Sequence, residues 1–191
     1  MKVPADWLER LPDAVALAAK EWDLELGDPF QPGGQCSWVA PVIGADQVLK
    51  VGWLHEEAMH EVDQLRLWDG DGAVRVHESA VDGDTVLMLL ERCIPGTSLK
   101  AVPEPEQDVL VAEVLQRMWR PGQPPFRPLW AMCAMWVDAM APTALDPGLV
   151  RTGMQLFVEL AAGDTLLLTD LHADNILAAA REPWLVIDPK P

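Results

Sequence analysis

The stretch "LTDLHADNILAAAREPWLVID", Leu168–Asp188, decides how this chain is to be read. Its runs "NILAAA" and "PWLVID" are short and apolar, the pattern of buried β segments, and "TLLLTD" (165–170) leads into them in the same way. Between them Asp170, His172, Asp174 and Asn175 crowd into one turn. A solvated loop is one explanation. A site that holds a metal and takes a proton is the other.

Phosphoryl transfer gives the second explanation mechanical content. It needs a base for the acceptor hydroxyl, oxygen ligands for magnesium, a cation on the nucleotide phosphates and a backbone cradle. In the kinase arrangement the base Asp precedes a metal-binding Asn by five residues, and a second metal-binding Asp follows a short strand. Asp170 and Asn175 have that interval, and Asp188 closes the run "PWLVI". A carboxylate and an amide are hard oxygen donors of the kind magnesium takes. His172 has no second histidine at metal spacing and reads as a loop residue.

The cation must come from elsewhere. In "QVLKVGW" (47–53) Lys50 stands among Val48, Leu49 and Val51, and an ammonium in an apolar strand is costly without a partner. The following segment offers Glu56, Glu57 and Glu61, with Glu57 and Glu61 one helical turn apart. Glu61 is the favoured partner and Glu57 the second. His55 and His60, among these acids, are expected on the surface. In "PGGQCSW" (32–38), Gly33 and Gly34 would let backbone N–H groups approach phosphate, with Ser37 just beyond; hairpin turns carry glycine for other reasons too. The run "LMLLERC" (87–93) leads through Glu91 to a Pro-Gly bend, a hinge whose backbone could meet an adenine edge.

Working outward, residues 5–22 carry Leu8, Leu11, Val15, Ala18 and Trp22 at helical spacing, and Pro12 is expected to split the stretch. Strands are expected near 24–28, 36–43 and 47–53, with turns at Gly33-Gly34 and Gly44–Asp46, as an antiparallel meander. A helix through "HEEAMHEVDQLRLWDG" should stop at Asp69-Gly70. "AVRVHES" and "DTVLMLLER" follow as strands around an Asp82-Gly83 turn. Pro95, Gly96, Pro103 and Pro105 suggest a linker, after which helices are expected near 106–119, 127–140 and 146–161. The Trp- and Met-rich run "LWAMCAMWVDAM" places Leu129, Met132, Trp136 and Met140 on one core-facing stripe, with Cys133 buried and Asp138 toward solvent.

Four segments, "VLKVGWLHEEAMHEVDQLRLWDGDGAVRVHE", "LLERCIPGTSL", "TDLHADNIL" and "REPWLVIDPKP", occur in order across most of the chain. Together they resemble the aminoglycoside/hydroxyurea phosphotransferase family, the streptomycin 6-kinase-like branch of the kinase-like fold. The resemblance implies an α+β, protein-kinase-like, two-lobed fold. Residues 1–94 would form an N-terminal nucleotide-binding lobe, a small antiparallel sheet plus one helix. Residues 95–191 would form a mostly helical catalytic lobe. It also implies Asp170 as catalytic base, Asn175 and Asp188 as magnesium ligands, and Lys50 with Glu61 as the phosphate-orienting pair. ATP would be the donor and a hydroxyl of a small, antibiotic-like molecule the acceptor. Two departures stand out. The family writes His-Gly before the base, where this chain has Leu168-Thr169. The sequence also ends three residues after Asp188, where the family continues into further helices, so the C-terminal lobe is expected to be truncated. A nucleotide-binding remnant without transferase activity is the alternative.

Composition sets outer bounds. The chain has 191 residues, 50% hydrophobic, enough for one domain or two small lobes. A net charge of −16 argues against a nucleic-acid partner, which needs a basic surface, and is compatible with a cationic small acceptor. Cys36, Cys93 and Cys133 are scattered and odd in number, so neither a zinc site nor a disulfide framework is expected, and a cytoplasmic setting is. No run is long and apolar enough to span a bilayer, and the start lacks the basic, then continuously apolar, pattern of a signal peptide.

Overall fold

The computed structural model describes residues 2–140, 146–160 and 163–190. They form a mixed α/β structure that divides into two compact units. One runs up to Met118 and includes Leu168–Lys190; the other is Trp119–Leu167. The expected lobe boundary at 94/95 therefore lies inside the first unit.

The first unit is built on a four-stranded antiparallel sheet. Its strands are β1 (Ser37–Pro41), β2 (Gln47–Trp53), β3 (Val76–Asp82) and β4 (Thr85–Glu91), in the order β1-β2-β4-β3. β2 and β4 are interior, which is why "LKVG" and "TVLMLL" are buried on both faces. Period-two alternation sorts their side chains. Leu49, Val51 and Leu87 face helix α1 (Ala5–Glu21) at Ala18; Val86, Met88 and Leu90 face a second core. That second core holds Leu65 and Trp68 of α2 (Glu61–Trp68), Met118 of α3 (Glu104–Met118), and Ile176, Leu185 and Val186. Full burial of one such leucine contributes roughly 1.5–3 kcal/mol.

Several expectations shift. α1 is continuous through Pro12, whose position is exposed, as is Leu8, the residue whose carbonyl a non-proline residue 12 would have bonded. The buried face of α1 starts at Trp7 rather than Leu8, because the Trp7 indole N–H donates to Thr85 Oγ1 at 2.9 Å. Residues 24–28 form no strand. Leu26 makes an isolated bridge to Val42, and Phe30 N–H reaches back to Val39 O, so the segment follows β1 irregularly. α2 begins at Glu61 because residues 56–60 coil in tight turns, with Ala58 N–H on His55 O and Glu61 N–H on Ala58 O. Glu57 thus lies before the helix. The helix does stop at Asp69, left-handed at φ 46°, with Gly70 at φ 88°. β3 starts three residues later than expected and bulges between Val76 and Glu78, and the hairpin turns at Gly83-Asp84.

The expected linker is packed. A 3₁₀ turn at Leu99–Ala101 buries Leu99, and Ser98 bridges Leu177. Of the final apolar runs, "NILAAA" and "PWLVID" pair as the hairpin β7 (Ile176–Ala178) and β8 (Trp184–Val186). Val74 N–H on Val186 O and Val186 N–H on Gly72 O join β8 to the segment before β3.

In the second unit, β5 (Arg120–Pro121), absent from the sequence reading, pairs with β6 (Thr165–Leu166), all that "TLLLTD" contributes in strand form. α4 (Leu129–Met140) packs with α5 (Pro147–Leu160), where the Trp136 and Phe157 rings lie 6.1 Å apart. Met132 and Cys133 are buried as the stripe requires. Residue 161, the expected end of α5, and the Met140 side chain fall outside what is described. Asp146 caps α5, its Oδ1 accepting from Gly148 and Leu149 N–H at 2.8 and 3.0 Å.

Candidate active site

Lys50 sits at the centre of interior strand β2, opposite Met88, on the face turned toward the second core. Its side chain is 8% exposed. Such an ammonium persists only if partners replace its water. Two do: Nζ donates to Glu61 Oε1 at 2.7 Å and to Asp188 Oδ1. Burial would drive the lysine toward neutrality, but Glu61 and Asp188 outweigh it and hold the ammonium charged, well above its ordinary range. Glu61, first residue of α2 and 3% exposed, is pushed up by burial, and Lys50 opposes that shift. Burial acts on Asp188 in the same direction, yet Lys50 prevails and holds its carboxyl below the usual range.

The β7–β8 hairpin delivers the remaining groups. Just before β7, a 3₁₀ turn over Ala173–Asn175 buries Asn175. The Asn175 amide Nδ2 donates to Asp170 O at 3.1 Å, and Ile187 N–H donates to Asn175 O at 2.9 Å. The loop bearing Asp170 is thereby tied to the strand end bearing Asp188. Asp188 is left-handed at φ 52°, a conformation a short polar side chain tolerates but most residues avoid. Just beyond it the chain runs back along the loop. Thr169 donates to Lys190 O through N–H at 3.0 Å and through Oγ1 at 2.9 Å, and Lys190 Nζ bonds Asp170 Oδ2. Thr169 stands at the second position of the His-Gly pair the family writes, and this pinning is what it does there.

Lys50, Glu61, Asp188, Lys190, Asp170 and Asn175 thus form one connected array. The Asp170 and Asp188 side chains remain 42% and 37% exposed, whereas those of Lys50 and Glu61 are 8% and 4% exposed, with the Lys50 ammonium emerging beside Asp188. Asp188 and Asn175 supply oxygen donors that suit a magnesium ion, which keeps waters and substrate phosphates as its other ligands. Among the described residues no group of three His, Cys, Asp or Glu could form a protein-only cage.

Other predicted positions lie apart from this array. Gly33 and Gly34 are in the exposed loop before β1, and Ser37 opens β1 opposite Gly52. Gly34 is constrained by that strand, since a Cβ there would come within 2.7 Å of Ser37 Oγ. Among the described residues no hydrogen bond links these three to Lys50 or Asp188. Glu91 is fully engaged: its carboxylate takes two bonds from Arg181, at 2.8 and 2.9 Å, and one from Arg75 N–H at 3.1 Å. These bonds make its side chain a clamp between the end of β4 and the β7–β8 connection. Burial lifts the Cys93 thiol to about 11, so it is no nucleophile at neutral pH.

Sequence reasoning missed three residues here. Lys190 and Arg181 meet partners far away in the chain. His55, expected on a helix surface, follows β2 with its ring 5.2 Å from Trp53 and its Nδ1 buried without a hydrogen-bond partner. Burial lowers its pKa. His172 is exposed, as a loop residue would be.

Residues 25–191 match the aminoglycoside/hydroxyurea antibiotic resistance kinases. The chain belongs to that family. Streptomycin 6-kinase of Streptomyces griseus is 34% identical over 199 aligned positions, covering 97% of this chain and 64% of the relative. Hydroxyurea phosphotransferase of Kitasatospora aureofaciens is 37% identical, covering 97% and 58%. Streptomycin 3''-kinase of Klebsiella pneumoniae is 33% identical, covering 80% and 59%. This aminoglycoside/hydroxyurea kinase family member therefore spans 58–64% of the length of these relatives, and the part matched to the family contains the whole array from Lys50 to Lys190.

Proposed function

We propose that this chain carries the nucleotide and catalytic groups of an ATP-dependent O-phosphotransferase acting on a hydroxyl of a small molecule. A streptomycin-like aminoglycoside is the first acceptor class to consider, and inactivation of such an antibiotic is the corresponding role. The reading rests most on Lys50, buried in an interior strand and held between Glu61 and Asp188, in a chain whose relatives are named kinases and phosphotransferases. In the two-lobed, kinase-like arrangement, the sheet and α2 within residues 1–94 bind nucleotide, and residues 95–191 contribute the catalytic loop.

Lys50, kept charged and fixed by Glu61, binds the α- and β-phosphates. Asp188 and Asn175 would hold magnesium, which would supply positive charge to offset that of the phosphates. Asp170 orients the acceptor hydroxyl and accepts its proton. Gly33, Gly34 and Ser37 line the phosphate side of the bound nucleotide, and the backbone beyond Glu91 meets the base. Positioning and charge neutralisation supply most of the rate gain. The chain's −16 charge favours a cationic acceptor over an anionic one.

The test is phosphate transfer from γ-labelled ATP, with streptomycin and hydroxyurea as separate acceptors, by the parent and by Asp170→Asn. Labelled acceptor formed by the parent and lost in the variant is the expected result. Transfer undiminished in Asp170→Asn would remove Asp170 as the base, and no transfer to any hydroxyl compound would overturn the reading.

A further inference from the structure

Lys190 has no part in the chemistry assigned above, yet it is the group in direct contact with the Asp170 carboxylate. Its placement is built from both ends. Its carbonyl is pinned by the N–H and hydroxyl of Thr169, at 3.0 and 2.9 Å, and its ammonium rests on Asp170 Oδ2. Thr169 and Asp170 are adjacent, so one dipeptide grips both the main chain and the side chain of Lys190. The lysine side chain is 23% exposed, less than the 42% of the carboxylate it touches. This differs from a surface ion pair between two mobile chains, which would carry little.

The charges around it give the contact a purpose. Glu61, Asp170 and Asp188 bring three negative charges and Lys50 one positive charge, and Lys50 is already shared by Glu61 and Asp188. Without Lys190, Asp170 would be an uncompensated carboxylate at the place where a triphosphate must approach. With it, one oxygen, Oδ2, is taken and fixed, and the other is left for an acceptor hydroxyl.

Building on the phosphotransferase reading, we propose that Lys190 is the positioning residue of the transfer step. It holds Asp170 so that a single carboxylate oxygen faces the acceptor, and it cancels the charge that would repel the γ-phosphoryl group. In that step the acceptor oxygen bonds to the γ-phosphorus. The bond from that phosphorus to the β–γ bridging oxygen breaks, and its electron pair leaves with ADP. The hydroxyl proton passes to Asp170 and then to solvent.

The experiment compares the parent, Lys190→Met, Lys190→Arg, Asp170→Asn and the double variant Asp170→Asn/Lys190→Met, all full chain, by steady-state transfer from Mg-ATP and by thermal melting. Lys190→Met should lower kcat and kcat/KM together, on the order of 10²-fold, as expected when an interaction made in the transition state is lost. Lys190→Arg should recover most of the rate. In the Asp170→Asn background, Lys190→Met should change the residual rate little, because its effect runs through that carboxylate. Full activity in Lys190→Met overturns the proposal. So does a rate loss that tracks melting and is equal in both backgrounds, which marks a structural role. A parent that transfers nothing overturns the phosphotransferase reading and this proposal with it, whereas an active parent with an equally active Lys190→Met overturns only the proposal.

Discussion

Replacing Arg181 by alanine should loosen the hairpin that carries Asp188. The Arg181 guanidinium makes five hydrogen bonds: two to Glu91, one to Glu182 at 2.6 Å, and one each to the carbonyls of Gly70 at 2.6 Å and Ala73 at 3.0 Å. It thus joins the end of β4, the turn after α2 and the β7–β8 connection. Removing one member of a buried ion pair costs about 3–5 kcal/mol. The Arg181 and Glu91 side chains are 23% and 16% exposed, so partial hydration offsets some of that loss. An expected cost of about 3 kcal/mol follows, equivalent to a fall in Tm of about 6–12 °C for a chain of this size. Lysine cannot reproduce a planar fork facing a carboxylate and two carbonyls, so Arg181→Lys should recover less than half of the loss. Differential scanning calorimetry, backed by urea unfolding, measures both. A Tm within 2 °C of the parent for Arg181→Ala would refute the clamp.

The same clamp makes a pH prediction. Burial pushes the Glu91 carboxyl up, but Arg181 and the Arg75 N–H outweigh it, so the folded pKa lies below its ordinary 4.5. A depressed folded pKa stabilises fully above the unfolded value and is lost as pH falls through the folded one. The stability gap between the parent and Glu91→Gln, followed by urea unfolding, should therefore be constant above about pH 5 and shrink below 4.5; a gap that widens on acidification would contradict this. Trp7→Phe should cost about 1–2 kcal/mol, because it leaves Thr85 Oγ1 buried without the indole N–H, and Leu8→Gln on the exposed side of α1 should change stability by under about 0.5 kcal/mol. Urea unfolding of both variants checks the assignment of the buried face, and equal effects would contradict it.

What could be read from the sequence was what a local cost or a short interval reveals. Lys50 is conspicuous because an ammonium in an apolar strand demands partners, and β2 falls where expected, near 47–53, because a β-rich run after the Gly44–Asp46 turn is itself a local signal. That Asp170, Asn175 and the Asp188 strand end come together was legible from their spacing, and the structure joins them through Asn175. What stayed hidden depends on contacts across long separations. Lys190 finds Asp170, twenty positions earlier, only because the chain turns at Asp188. Arg181 looks like a polar turn residue until the hairpin lays it against Glu91, ninety positions away. The stripe of α1 is legible at Leu11, Val15, Ala18 and Trp22, which pack on the sheet, and fails only at its first member, where Trp7, bonded to Thr85, is buried and Leu8 is exposed. Residues 24–28 have strand-like composition, but their backbone bonds to the segment around β1 are isolated ones that form no ladder.

The central claim is that Asp188, gripped by Lys50 at the end of the hairpin, belongs to a magnesium–nucleotide site. Isothermal titration of ATP into the full chain, with and without magnesium, for the parent and for Asp188→Ala, tests it most directly. The account predicts binding by the parent that strengthens at least tenfold with magnesium, about 1.4 kcal/mol, and a variant that stays folded but loses this gain. A folded parent that binds no ATP, or an Asp188→Ala variant whose magnesium-dependent affinity equals the parent's, would contradict it.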